Sequence, residues 1–155
     1  MIIKSRAIVF LIISLVANVV LATTLEEQFE GMKTCDQMGS LKDMNFDQYH
    51  QQASSAMPYI IERKLQPCEL DLLASYCIND TFYGLEVDKI AIPYTMSIYA
   101  IHFKQDVQTV KKELSQYMKI VDYDVQKHTL GNPTVFKDPK TGQAILMCDF
   151  STERD

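Results

Sequence analysis

The chain has 155 residues, with 15 basic and 20 acidic side chains and a formal charge of −5. This length fits one ordinary domain, and the acidic balance makes nucleic acid a poor partner. The sequence has no long Ser, Gly or Pro tract, no block of like charges and no internal repeat, which excludes a disordered linker and a solenoid.

Residues 1–22 have the pattern of a secretory signal peptide. Lys4 and Arg6 give a positive start, and residues 7–22 are apolar at all but two positions. At a helical rise of about 1.5 Å per residue, these roughly 16 residues reach about 24 Å, which is shorter than the ~30 Å hydrocarbon core. We therefore expect cleavage after residue 22, which leaves one mature domain over residues 23–155 and no stable membrane anchor. A retained anchor is the alternative.

Four cysteines follow the predicted cleavage site, at Cys35, Cys68, Cys77 and Cys148. An even number outside the cytosol predicts two disulfides, for which three pairings exist. We favour Cys35 with Cys148, which would tie the N-terminal helix to the last strand, and Cys68 with Cys77, which would close a short loop. On the loop-entropy model the long bridge contributes roughly 5 kcal/mol and the short one roughly 3 kcal/mol. No Cys-x-x-Cys spacing indicates a metal or catalytic redox site.

Two helical patterns come first in the mature chain. Thr24 and Glu27 form a capping box, and the apolar spacing after them predicts a helix over residues 24–34. A weaker helical pattern begins at Asn45 and is limited by Pro58.

Apolar and β-branched residues then predict strands at 59–65, 72–78, 87–92 and 95–103. The last of these is apolar or aromatic at nearly every position, as is typical of a central strand. A final hairpin is predicted around residues 138–142, where Pro139 presets the turn.

Residues 106–120 interrupt the strands with the clearest helical pattern in the chain. Asp106 can cap the helix, and Val107, Val110 and Leu114 fall on one face with charged residues opposite. The predicted class is α+β, with a mainly antiparallel sheet on which the N-terminal helix and this amphipathic helix pack.

No local pattern points to catalysis. His50, His102 and His128 are far apart in the sequence, and none belongs to a zinc motif. The common hydrolase and nucleotide-binding motifs are also missing. We therefore expect no catalytic residue, metal or cofactor, and we interpret His102 as a packed side chain in the central strand. An enzyme whose site is assembled from distant residues remains an alternative.

Residues 79–93 hold the most distinctive local features. Asn79-Asp80-Thr81 is an N-glycosylation sequon at a predicted turn, which matters only in a eukaryotic host. Gly84 suggests a bend or bulge after Phe82 and Tyr83. These two aromatic side chains are either a structural corner or a binding surface for a ligand or partner.

The order of several short motifs resembles a group of small, uncharacterised bacterial exported proteins. The motifs are Phe82-Tyr83-Gly84, Val87, Ile90, Ile92-Pro93, a strand ending at Phe103, a Val/Leu helix, and Leu146-Met147-Cys148-Asp149. The resemblance covers about residues 25–150 and implies no activity. It favours the periplasm over the extracellular space.

Cys35 followed by Asn45-Phe46-Asp47 is also similar to the start of an insect lipocalin. The chain departs from that family because it has no tryptophan and because a helix is predicted where barrel strands should run. This resemblance implies a carrier of a small apolar ligand.

Together these features predict an exported binding protein whose partner is a protein, and the acidic charge favours a basic partner. An inhibitor or immunity-type protein for a cell-wall-directed enzyme fits the small size and the acidic charge, because many such enzymes are basic and would be steered to it.

Overall fold

A computed structural model describes residues 22–35, 54, 57–122 and 132–149. The helices are α1 (Leu25–Gln28), α2 (Pro58–Glu62) and α3 (Val107–Leu114), with a 3-10 helix at Glu30–Lys33. The strands are β1 (Glu69–Leu70), β2 (Leu73–Phe82), β3 (Leu85–Pro93), β4 (Ile98–Phe103), β5 (Thr134–Lys137) and β6 (Ala144–Asp149). Among these described residues, no helix has the length and apolar character needed to cross a membrane.

All six strands form one antiparallel sheet in the order β1-β2-β3-β4-β6-β5. Strands β1 to β4 follow one another as a meander, and the last hairpin places β6 beside β4. Strands β1 and β5 are the edges of the described sheet, which therefore stays open within that part of the chain. A strand-rich antiparallel sheet with a few helices agrees with the predicted α+β class.

The helices pack on one face of this sheet, which we call the covered face. Side chains of α1, α2 and α3 join one apolar cluster with alternate residues of the central strands. Ile101 and Phe103 of β4 are fully buried there, together with Val110 and Leu114 of α3. Because side chains alternate along a strand, the intervening residues of β4 point to the opposite face.

A two-residue turn joins β2 to β3. Tyr83 and Gly84 both have positive φ, at 49° and 78°, and Phe82 pairs with Leu85 across them. Positive φ at both central positions is the pattern of a type I′ turn, whose twist suits a tight hairpin. The predicted bend at Gly84 is therefore a hairpin turn between two strands.

The predicted strand at residues 59–65 is wrong, because this segment contains α2. Pro58 occupies the first turn of α2, where its fixed φ favours a helix start and its missing N–H is not needed. Tyr59 and Ile60 are buried by packing against the covered face, so tertiary contacts outweigh the strand propensity of the segment.

The other helices are shorter than predicted. The capping box of Thr24 and Glu27 is present, but the α-helix ends at Gln28 and continues as the 3-10 helix. Asp106 caps α3 as expected, accepting hydrogen bonds from the N–H groups of residues 108 and 109, and α3 ends at Leu114. The weaker helix predicted from Asn45 lies almost wholly outside the described residues.

Two disulfides are present, Cys35–Cys148 and Cys68–Cys77, which is the pairing favoured above. The first joins the segment after the 3-10 helix to β6, and the second joins the residue before β1 to β2. Disulfides persist in oxidising compartments, so this pair supports a location outside the cytosol.

Candidate binding face

The face of the sheet opposite the helices carries small side chains at its centre. The strand register places Ser75, Ala91 and Ala100 side by side on β2, β3 and β4. Ala91 and Ala100 belong to a second, smaller apolar cluster that is separate from the one beneath the helices. None of the described helices contributes a residue to this cluster, and we call this side of the sheet the open face.

Two adjacent cavities lie along the open face, with volumes of about 320 Å³ and about 210 Å³. Lys89 and His102 line both cavities, so together the cavities form one groove. The larger is completed by Cys77, Asp88, Asp138, Thr141 and Gln143. The smaller is completed by Glu69, Asp71, Leu72, Leu73, Ser75 and Ala91.

His102 lies at the centre of this groove, directly opposite Lys89 in the register of β3 and β4. Burial, together with the positive charge of Lys89, lowers the pKa of the His102 imidazole to about 4. The ring is therefore neutral at pH 7 and is a weak base. Such a group is poorly matched to proton abstraction near neutral pH, where a catalytic base works best with a pKa close to 7.

The remaining polar groups of the groove are mostly carboxylates. Glu69 forms an ion pair with the Nζ atom of Lys89 at 3.5 Å. Hydrogen bonds from the Lys140 N–H and the Thr141 hydroxyl lower the pKa of Asp138 and so keep it ionised. The groove therefore offers fixed negative charge beside one cation and one neutral imidazole.

Three large apolar side chains are exposed on the two segments at one end of the groove, and we call them the apolar rim. They are Leu72, which is 55% exposed and lines the smaller cavity, and Tyr94 and Met96, which are 41% and 38% exposed between β3 and β4. The loops that carry them are joined, because the backbone N–H and the hydroxyl of Thr95 both donate to the Leu72 carbonyl oxygen, at 3.0 and 3.1 Å. Clustered exposed apolar side chains are typical of an interaction site.

The two aromatic residues predicted as a binding surface do not lie on the open face. Phe82 is only 1% exposed and packs in the core, with its ring centroid 6.3 Å from that of Phe103. Tyr83 is half-buried, stacks on Tyr117 at 4.1 Å and donates its backbone N–H to Glu26. Phe82 therefore lies beneath the helices, because the alternation of β2 directs it there, and the structure does not bring it to the open face.

Asn79 is exposed, but it lies within β2 and not at a turn as predicted. The register of β2 against β3 shifts between Cys77 and Asp80, so the sequon occupies an irregular part of the strand. Lys104 Nζ donates a hydrogen bond to Asn79 Oδ1 at 3.0 Å.

The other histidines, His50 and His128, lie outside the described residues. Within the described ranges, no group of three or more His, Cys, Asp or Glu side chains is arranged to hold a metal ion.

The groove and the apolar rim were not predicted from the sequence. Their signal is the placement of small residues in apolar strands, at Ser75, Ala91 and Ala100, but only the register shows that these positions are neighbours. Leu72 was predicted to begin a strand over residues 72–78, whereas it precedes β2, which begins at Leu73, and its side chain is exposed.

Comparison with known proteins adds no relationship, since the chain matches no protein family, no curated protein and no solved structure.

Proposed function

We propose that this protein is an exported, non-enzymatic binding protein that holds a protein partner against the open face of its sheet. The observation that carries this proposal is the groove of Lys89 and His102 with the apolar rim at its end. Protein interfaces commonly combine a few apolar anchors with polar groups around them. The rim supplies the anchors, and the groove supplies the polar surroundings.

The proposed partner is a basic, cell-wall-directed enzyme, which the protein inhibits. Two exposed carboxylates, Glu69 and Asp71, line the smaller cavity together with the rim residue Leu72. A cationic partner would be steered by the net negative charge of the chain and would then bury the rim on contact. The surface that this protein would present to the partner therefore combines apolar and acidic side chains.

The test is a binding and inhibition series against basic lysozymes of several structural classes, with residues 23–155 as the inhibitor. Affinity is measured by calorimetry and inhibition by cell-wall lysis. We expect micromolar or tighter binding to at least one class, and Leu72→Lys with Met96→Lys should weaken it at least a hundredfold.

Ile61→Lys is the matched control, because Ile61 is 52% exposed but lies on α2, away from the open face. This variant should bind as the wild type does. Equal losses from the control and from the rim variant would contradict use of the open face, and no binding to any class would contradict the proposed partner.

The carrier of a small apolar ligand is a weaker candidate. Such a carrier encloses its ligand in a mostly apolar cavity. The two cavities described here are grooves on one face of an open sheet, and charged side chains line both of them. Binding of a fluorescent fatty acid with submicromolar affinity, abolished by Leu73→Glu, would favour the carrier instead.

An enzyme is the second alternative, and the position of His102 in the groove is the observation that favours it. If the protein acts by binding, replacing His102 with Gln removes one uncharged contact of the groove and should weaken inhibition by no more than about tenfold in protein that is shown to be folded. A folded variant whose activity falls a hundredfold or more would place catalysis first.

We propose the periplasm as the compartment. This proposal rests on the resemblance to bacterial exported proteins and on the two disulfides. The intact mass of protein recovered from its native host tests this, because export with cleavage gives a chain that begins at Thr23. A glycan at Asn79 would instead indicate secretion from a eukaryotic cell.

A further inference from the structure

Solvent has very different access to the two disulfides. Cys35 and Cys148 are each 1% exposed and lie in the core beneath the helices. Cys68 and Cys77 are both exposed, and Cys77 lines the larger cavity of the groove. Thiol–disulfide exchange requires a thiolate to reach one sulfur directly, so in the folded protein it is open to the second bridge and closed to the first.

One cation lies beside Cys77 in the register of the sheet. Lys89 lies opposite Cys77 in the register of β2 and β3, and both side chains line the same cavity. A nearby cation stabilises a thiolate, and a more stable thiolate is a better leaving group. Asp88 and Asp138 line the same cavity and oppose this effect, so Lys89 is the group that favours attack at the Cys68 sulfur with release of Cys77.

The bridge also holds one wall of the groove in place. Strand β1 has only two residues, and its pairing with β2 consists of Glu69 with Ser75 and Leu70 with Ala74. Beyond this pairing, the Cys68 N–H donates to the Ser75 carbonyl oxygen at 2.9 Å. So short an edge strand is marginal without a covalent tie. The segment 69–72 lines the smaller cavity through three of its residues, so loss of the tie would open that wall.

We propose that Cys68–Cys77 is a thiol–disulfide exchange site for dithiol reductants, and that its reduction releases residues 68–72 from the groove. One thiolate of the reductant attacks the Cys68 sulfur, forms a mixed disulfide and expels the Cys77 thiolate. In the mixed disulfide, the first sulfur of the reductant is bonded to Cys68. The second thiol of the reductant then attacks that first sulfur, which releases Cys68 as a thiolate. The reductant leaves as a disulfide, and the protein gains two electrons and two protons.

This site differs from a Cys-x-x-Cys catalytic motif, because the protein is the substrate of the exchange and not its catalyst. It is also independent of the partner proposed above, since the exchange needs only the exposed bridge and a dithiol.

The experiment treats folded protein with dithiothreitol, traps new thiols with iodoacetamide at several times and locates them by peptide mapping. Cys68 and Cys77 should be labelled at least tenfold faster than Cys35 and Cys148. Hydrogen exchange should then show lost protection over residues 68–72, while β3 and β4 remain protected. Labelling of all four cysteines at one rate, or unchanged protection of residues 68–72, would overturn the proposal.

The Lys89→Gln variant tests the electrostatic part separately. Its bridge should be reduced more slowly, by on the order of threefold at low salt, and the difference should shrink at high salt because the lysine is partly exposed. Lys112→Gln is the matched control, since Lys112 is exposed on α3 on the covered side of the sheet. If the control slows reduction as much as Lys89→Gln does, the assignment of Lys89 is overturned.

Discussion

The two faces of the sheet are built from the same strands, yet they differ in the size of the side chains that they present. On β4, Tyr99, Ile101 and Phe103 point toward the helices and are fully buried, whereas Ala100 and His102 point the other way. The covered face stabilises the fold through buried apolar area, and the open face provides a shaped groove. One strand can therefore encode stability and binding on alternate residues, and substitutions on the two faces should have separable effects.

The largest effect should come from the covered face. Replacing Phe103 with Ala removes a fully buried ring and should lower the free energy of unfolding by about 3 to 5 kcal/mol. The free energy of unfolding is measured by urea denaturation, with circular dichroism as the signal. Ala100→Gly on the open face of the same strand should cost about 1 kcal/mol. Similar losses for the two variants would contradict the division between the faces.

A buried hydrogen bond should have the next largest effect. Tyr59 is fully buried on the covered side, and its hydroxyl donates to the Asp80 carboxylate at 2.7 Å. Burial and this carboxylate raise the pKa of the Tyr59 hydroxyl, so it remains a donor at neutral pH. Tyr59→Phe should lower the free energy of unfolding by about 1.5 to 3 kcal/mol, because the acceptor is charged. Tyr117→Phe, at a position that is 48% exposed, is the comparison and should change the free energy of unfolding by less than about 0.5 kcal/mol, because the stacked ring is kept.

On the open face, His102 should make the free energy of unfolding depend on pH. The folded-state pKa of His102, about 4, lies below its unfolded value, so the unfolded state binds the proton more readily. The contribution of the His102 imidazole to the free energy of unfolding is fully present above pH 6.5 and is lost as the pH falls toward 4. The full shift corresponds to about 3 kcal/mol, and partial exposure of the ring reduces it to roughly 1 to 2 kcal/mol.

Urea unfolding of the wild type and of His102→Gln at pH 7 and pH 4.5 measures this effect. The variant should lose less stability than the wild type between the two pH values. Parallel losses would mean that the imidazole is not desolvated in the groove.

The smallest effect on stability should come from the apolar rim. Leu72→Lys changes a side chain that is 55% exposed, and the free energy of unfolding should stay within about 0.5 kcal/mol of the wild type. The same variant should weaken partner binding, as described above. A loss of more than about 2 kcal/mol would show that the rim belongs to the folded core.

Much of the sheet could be predicted because its signals are local. The predicted strand at 87–92 falls within β3, and the turn chemistry of residues 138–142 placed the final hairpin correctly between β5 and β6. The cysteine pairing followed from which segments were expected to be terminal, and Cys35 does bridge to β6.

The misassigned segments depend on contacts that no local pattern contains. Tyr59, Ile60 and Ile61 have the composition of a strand, and only packing against the covered face makes them helical. The sequence left Phe82 as either a structural corner or a binding surface, because its direction depends on the register of β2. The open face escaped prediction for the same reason, since small residues become a groove only when three strands align.

The Cys35–Cys148 bridge also determines how the molecule would carry mechanical load. It joins two residues 113 positions apart in sequence, so the chain between them is a covalently closed ring that contains the whole described sheet. Tension applied before Cys35 and after Cys148 would pass through the bridge and bypass the strands. A protease that cuts once within the ring would likewise leave both fragments tethered, and the sheet could reassemble around the nick.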